Sequence, residues 1–569
     1  MNLTRLCLKN YRRFAEFDIE FDPQLTVISA RNGQGKTSVL EAIVAALGPF
    51  VGSFDQGMSR HIERTDARYA RVGEGFESEQ QFPVIISAEM SNPAKRWQRA
   101  LNGPKSRTTT KEAEPLAAWG KELQLLLRSD SAISLPVVRY YSSRRLWVSH
   151  KNVSSKAILT ESRTAGYEDC LSAFSTYVQL QEWMRKATLA VIQQKQQPGY
   201  EHSNLAPRLQ GIRNAVNEVM AEEGWSDFHY SLTYEELSMS HADHSALPLG
   251  LLSDGVRAMI TLVADLALRC SRLNGHLKEQ ASLQTTGIVL IDEVDLHLHP
   301  AWQQRVVASL RKAFPNIQFI VSTHSPQVLS TVKRECIRMV FQDADENWQA
   351  ACPPQEVKGV ESAIALNDIM GVNPIPPVAE ALWVAEYTAK IENGSHEDHN
   401  GLALRKKLLD FYGAQHQVIL DADRLNHFPE LTFAWSNLFL ACGSTQHCGH
   451  HKDRRSAPAY DPGLLIKPDE HDPEHYLYFH SSGKVLARNN LSDHENSCAT
   501  ETIRVFGLDN PALEGARANA VRSYRKMHDA DLSEIASWSD AERDAYFRGE
   551  IEATRWLPYA TTIRHFLQK

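Results

Sequence analysis

The stretch that most constrains this chain runs Val27-Ile28-Ser29-Ala30-Arg31-Asn32-Gly33-Gln34-Gly35-Lys36-Thr37-Ser38-Val39-Leu40-Glu41-Ala42-Ile43. Leu25, Val27 and Ile28 predict a buried strand, and Val39, Leu40, Ile43 and Val44 recur at helical spacing. Between them lies a GxxxxGK[ST] pattern with one departure, Ala30 at the first glycine position. A strand that enters a helix through such a loop gathers successive N–H groups and the positive end of the helix dipole in one concavity. Gly33 and Gly35 let the backbone approach phosphate oxygens, with Asn32 and Ser38 flanking them. Lys36 is placed to reach the β- and γ-phosphates, and the Thr37 hydroxyl to ligate Mg²⁺. The chain is therefore expected to bind a nucleoside triphosphate.

The 569 residues suggest two to four domains. A composition that is 23% charged and 43% hydrophobic fits a soluble globular chain. No apolar run approaches the ~20 residues that span a bilayer, so no membrane partner is expected. The start, MNLTRLCLKNYRRF, lacks the apolar stretch of a signal peptide. Of eight cysteines only Cys442 and Cys448 sit close together, as expected of reduced thiols in a cytoplasm. The net charge of −8 does not advertise nucleic-acid binding, for which a local basic face matters more than the total.

Alternation over residues 3–12 and 16–22 predicts two early strands beside the nucleotide core, with Tyr11, Arg12 and Arg13 near a base or in a solvated loop. Residues 135–141 read as a buried strand, after which Ser142 or Arg144 takes the place of a phosphate-sensing glutamine. Residues 167–223 carry helical spacing broken at Pro198-Gly199, with Phe174, Tyr177 and Trp183 read as packing. Leu252-Ser253-Asp254-Gly255-Val256-Arg257 then opens an apolar helix that Ser253 is expected to cap. Gly287 to Ile291 is a buried strand ending in Asp292, placed for Mg²⁺, and Glu293, placed to deprotonate water. A further strand, Ile317 to Val321, leads to Ser322-Thr323-His324-Ser325, with His324 at the strand end to meet the γ-phosphate.

In this order the motifs resemble the ABC-type ATPase fold shared by the RecF, SMC and OLD-like families, and Glu293-Val294-Asp295-Leu296-His297-Leu298-His299-Pro300 resembles the OLD-like subgroup. The resemblance implies an α/β P-loop ATPase domain over residues 1–355, with a helical insertion at about 167–223. It also implies at least a head-to-tail dimer of the chain with itself. Each ATP would lie between one copy's phosphate loop and the other's signature, completed by Ser253 and Gly255. Residues 356–424 read as a helical region packed on that domain or linking from it.

From about residue 425 to 569 the pattern changes. His427, Asn437 and the Cys442, Cys448, His450, His451 cluster resemble an HNH (ββα-metal) nuclease domain, a smaller α+β unit. That resemblance implies His427 as general base, Asn437 as the residue shaping the loop, and His451, or its rival His450, as ligand of a divalent cation. Cys442 and Cys448 are candidate Zn²⁺ ligands. An OLD-like ATPase beside an HNH segment resembles the paired components of Septu and retron-associated antiphage systems, the ATPase PtuA and the HNH protein PtuB. Two readings stay open here: a working fusion, or one lacking part of its nuclease. The expected function is an antiphage ATPase whose ATP state controls HNH-type cleavage of nucleic acid. Its implied partners are further copies of itself, a separate HNH effector, and a reverse transcriptase with its RNA–DNA product. The rivals are a repair or chromosome-maintenance ATPase with a C-terminal binding module, and a non-hydrolysing switch that sequesters an effector.

Overall fold

In the computed structural model, residues 1–71, 78–143, 162–173, 177–196, 203–414, 416–419, 422, 460–467, 471–527, 538–554 and 560–567 are described. The N-terminal alternation forms β1 (Asn2–Tyr11) and β2 (Phe14–Glu20), paired antiparallel around a turn at Arg12-Arg13. β3 (Leu25–Ser29) feeds the phosphate loop and α1 (Lys36–Val51). Two later strands, β4 (Val84–Ser91) and β5 (Lys95–Leu101), join β1 to make a four-stranded antiparallel sheet in the order β2-β1-β4-β5. Its apolar side packs on α1. The buried Trp97 donates its indole N–H to the Ala46 carbonyl (2.8 Å), and Arg99 donates to the Ala45 carbonyl (2.5 Å).

The second sheet is the one that positions the site. β6 (Val137–Tyr141) precedes the insertion, where α2 (Tyr177–Gln196) and α3 (Leu205–Met220) lie. A three-stranded sheet over residues 225–248 then leads to α4 (Asp254–Leu273). β7 (Gly287–Ile291), β8 (Ile317–Thr323), α5 (Pro326–Leu329), β9 (Ile337–Gln342) and β10 (Trp348–Ala351) follow. The six strands run β10-β9-β3-β8-β7-β6, parallel except for β10. Every residue of β3, β6, β7 and β8 is buried, as a parallel sheet covered on both faces requires.

Residues 168–173 do not join a helix, contrary to the periodicity. Isolated tight turns (Cys170 N–H to the Tyr167 carbonyl, 3.2 Å; Ser172 N–H to that of Asp169, 3.0 Å) and buried guanidinium groups share the carbonyls here. Arg269 donates to the Gly166 and Glu168 carbonyls (both 2.9 Å), and Arg139 to that of Asp169 (2.8 Å). Trp183 is buried, as packing predicts, and Tyr177 donates to Glu236 (3.1 Å); Phe174 lies outside the described residues.

The same arginines hold β6 to α4. Asp265 on α4 accepts from Arg269 Nε (3.1 Å) and from the Tyr141 hydroxyl (2.7 Å), and pairs with Arg139 Nε at 3.2 Å. All four side chains are buried. Removing this carboxylate strips the opposing charge from two buried guanidinium groups. Asp265→Asn is therefore expected to lose about 3–5 kcal/mol of stability, read from denaturant unfolding. A change below about 1 kcal/mol would mean that the backbone carbonyls alone satisfy both arginines.

The chain divides into two compact units, Met1–Pro374 and Ile375–Lys569. In the second, helices Ala379–Glu392 and His399–Tyr412 share a core of Tyr387, Ile391, Leu404 and Leu408. A short hairpin, Leu477–Phe479 with Val485–Ala487, packs with helix Asp493–Phe506 around Leu477, Val485, Cys498 and Ala499. His427, Asn437, Cys442, Cys448, His450 and His451 lie outside the described residues. Among the described residues no cluster of three His, Cys, Asp or Glu side chains forms a metal site, and no helix is long and apolar enough to cross a membrane.

Candidate nucleotide site

Strand order assembles the site. β8 lies between β3 and β7, with Thr323 opposite Ser29 and Val321 opposite Ile291. The phosphate loop, the His324 loop and the Asp292-Glu293 pair therefore leave the sheet side by side, from the same end of three parallel strands. Gly33 (φ +74°) and Gly35 (φ +99°) take the left-handed backbone that L side chains avoid. A Cβ on Gly35 would also stand 2.6 Å from the Phe14 ring. Ala30 is not among the positive-φ residues, which is why alanine is tolerated at the first glycine position. Gly35 is the N-cap of α1 and brings no side chain to the first turn, so those N–H groups face the loop.

Lys36 is buried and donates to the Ala30 carbonyl (2.9 Å), with its Nζ 3.5 Å from His324 Nδ1. Burial pulls its ammonium from the ordinary 10.5 down to about 8, against the attraction of Asp292, Glu293 and Asp295. His324 is likewise held below the usual histidine range, by burial first and then by Lys36, and so is neutral at neutral pH.

The sign of the Lys36 shift fixes a pH dependence. The empty folded form binds this proton less tightly than the unfolded chain does. The group therefore opposes folding below pH 8, and that penalty is relieved as pH rises from about 8 towards 10.5. A bound triphosphate, in contrast, needs the ammonium charged. Affinity for a non-hydrolysable ATP analogue is expected to fall by up to roughly tenfold per pH unit above pH 8. Titration calorimetry between pH 7 and 9.5 reads this directly, and a flat profile would remove Lys36 from the phosphate site.

At the end of β7, the Thr37 hydroxyl donates to Asp292 Oδ2 (2.9 Å) and the Ser322 hydroxyl to Oδ1 (2.6 Å). Ser322 Oγ also accepts from the Glu293 N–H (2.8 Å), so one serine fixes both acidic residues. Glu293 sits in the left-handed region (φ +51°), which turns the chain sharply after Asp292. Asp295 accepts from the Thr323 hydroxyl (2.5 Å) and the His324 N–H (3.3 Å), tying the histidine loop to the acidic turn. The sequence signals neither Ser322 nor Asp295 in these roles, because both act across two strands.

Asn32 is exposed at the loop, and Ser38 receives Arg12 at 3.5 Å. Arg12 is engaged by Asp66 (2.9 Å) and Glu41, Tyr11 is buried, and Arg13 lies 4.8 Å over the Trp348 ring. Ser142 donates to the Ala173 carbonyl (2.8 Å), and Arg144 lies outside the described residues.

The signature differs from expectation in one respect. Ser253 is the N-cap residue of α4, yet its side chain makes no cap hydrogen bond; Asp254 in the first turn pairs with Arg257 (2.5 Å) instead. The Ser253 hydroxyl is exposed beside Leu251, which is 73% exposed. Gly255 is buried, and a Cβ there would stand 2.3 Å from the His297 carbonyl oxygen, so the start of α4 and the turn after Glu293 require glycine to meet. Among the described residues no hydrogen bond joins Ser253 or Gly255 to the Lys36 cluster.

Residues 5–222 match a family model described as an AAA domain, and residues 195–330 a second AAA-domain model associated with the AbiEii toxin of type IV toxin–antitoxin systems. The chain is 24% identical to the "Retron Ec83 probable ATPase" of Escherichia coli over 73% of its own length and 84% of the relative's. It is 25% identical to the "Retron Vc95 probable ATPase" of Vibrio cholerae over 71% and 86%. A shorter stretch, 20% of this chain and 15% of the other, is 41% identical to the "Septu protein PtuA" of Bacillus mycoides. These similarities support an ATPase of the retron and PtuA type. The ATPase thus carries its phosphate loop, acidic pair and histidine loop on an ABC-like P-loop α/β core.

Proposed function

We infer that this ATPase serves antiphage defence, and that its nucleotide state controls HNH-type cutting of nucleic acid by its own tail or by a separate effector. The observation that carries the nucleotide reading is the junction of Lys36, Thr37, Asp292, Ser322 and His324 at one end of three adjacent strands. The N–H groups of the loop from Asn32 to Ser38 cradle the phosphates. Lys36 exchanges its Ala30 carbonyl and His324 neighbours for phosphate oxygens. Thr37 and Asp292 are two hard oxygen ligands of the kind Mg²⁺ accepts, and the ion when bound neutralises charge on the β- and γ-phosphates. Glu293 takes the proton of the attacking water. His324, neutral and with Nδ1 towards Lys36, carries its hydrogen on Nε2 and donates it to the γ-phosphate.

A second copy completes the site. The exposed Ser253 hydroxyl, the free first turn of α4 and the exposed Leu251 support a surface that meets a partner's nucleotide. By the HNH resemblance, His427 activates water towards a phosphodiester, Asn437 shapes its loop, and His451 or His450 holds a divalent cation, with Cys442 and Cys448 available to Zn²⁺. By the Septu and retron resemblance, the partners are a separate PtuB-like effector and a reverse transcriptase with its RNA–DNA product. Cleavage assays with the full chain test the tail. His427→Ala is expected to abolish cutting of nucleic acid in Mg²⁺ or Mn²⁺ while ATP binding persists. A variant that cuts as well as the parent would exclude His427 as the base.

A further inference from the structure

The phosphate loop is tied to a segment far along the chain. Arg31, between Ala30 and Asn32, donates from Nη2 to the Gly371 carbonyl at 2.9 Å, across 340 residues of sequence. The main chain of Arg31 is itself locked to the loop, since its N–H donates to Gln34 Oε1 (3.0 Å) and its carbonyl accepts from the Gln34 N–H (3.2 Å). Gly371 presents its carbonyl from the end of α6 (Ser362–Asp368), where Gly371 N–H bonds Asn367 O (3.0 Å) and Val372 N–H bonds Leu366 O (3.2 Å). Its φ is +61°, and a Cβ there would stand 2.9 Å from Arg31 Nη2. The left-handed turn favours glycine, and a Cβ there would push the guanidinium off the carbonyl.

The same segment also rests on the other side of the site. α6 packs on α5, the short helix that begins two residues after His324. Ser325, the N-cap of α5, accepts from the Val328 N–H (3.2 Å) and donates to Gln303 (2.7 Å), so α5 follows the histidine loop as a rigid piece. Residues 362–374 therefore touch the phosphate loop through Arg31 and the helix that follows the histidine loop through α6, and the second compact unit begins immediately after them, at Ile375.

We propose that Arg31 is a positioning residue that couples the phosphate loop to this segment, so that nucleotide occupancy is transmitted through Gly371 to the entrance of the C-terminal unit. The proposal rests on the ATP-site reading above. When the loop closes on phosphates, Arg31 moves with its Gln34-clamped backbone and either tightens or releases its hold on the Gly371 carbonyl. The α6 terminus and the chain into the second unit then change their exposure.

Hydrogen exchange of the full-length protein, with and without a non-hydrolysable ATP analogue and Mg²⁺, reads this. The amides of Gly371 and Val372 are expected to change exchange rate by roughly fivefold on nucleotide binding, the effect of one exposed hydrogen bond. Arg31→Ala and Gly371→Ala, which break the contact from opposite sides, each remove that response, and the double variant does no more than either alone. Arg31→Lys restores part of it. Variants that bind nucleotide and still respond like the parent would overturn the coupling. So would a parent that binds nucleotide with no change at Gly371, leaving the ATP site itself intact. A parent that binds no nucleotide would overturn both.

Discussion

Glu293→Gln is expected to slow ATP turnover by roughly two to four orders of magnitude while nucleotide binding persists. The substitution keeps the shape of the side chain and removes only its capacity to accept a proton. The geometry places residue 293 through its backbone and its neighbours. The backbone N–H is held by Ser322, the preceding Asp292 by Thr37 and Ser322, and the turn by the left-handed conformation at position 293. The loss should thus fall on kcat. If two copies share each site, as proposed, unhydrolysed ATP should keep them together, and the variant should accumulate as an ATP-dependent dimer. Unchanged turnover would take the base role from Glu293.

Lys36→Ala is expected to weaken ATP binding by roughly a hundredfold, the loss of charged hydrogen bonds to two phosphates. In the empty protein the ammonium is a burden, because burial has already pulled it down to about 8. Removing it relieves that burden at neutral pH, so the Tm of the empty variant should be no lower than the parent's. The rise in Tm that ATP and Mg²⁺ give the parent should vanish. An empty variant that melts well below the parent would show that Lys36 chiefly holds the Ala30 carbonyl and the loop together.

The parts of the site that sequence made legible are those encoded in short contiguous runs. Val27-Ile28, Ile288 to Ile291 and Phe319 to Val321 are uninterrupted apolar strands, and each ends directly in its chemical residue: the loop to Lys36, Asp292-Glu293, or His324. The backbone does the placing, so spacing along the chain suffices. Ser322 and Asp295 were illegible because their function lies in bonds between β7 and β8, which no local pattern specifies. The antiparallel addition of β4 to β1 joins residues some eighty positions apart and was equally hidden. At residues 168–173 a helical periodicity gives way to tight turns, whose flanking carbonyls the buried Arg139 and Arg269 also engage. At Ser253 the residue type suited a cap, but Asp254 and Arg257 stabilise the first turn, leaving the hydroxyl outward.

The central claim, that two copies jointly enclose each triphosphate, is tested most directly by mixing two variants that are each inactive. Lys36→Ala removes the phosphate loop's cation, and Ser253→Arg blocks the exposed start of α4. A head-to-tail pair made of one chain of each has one intact composite site, so an equimolar mixture should recover roughly a quarter of the parent's ATP turnover. A mixture of folded variants that stays as inactive as its components would contradict the shared site.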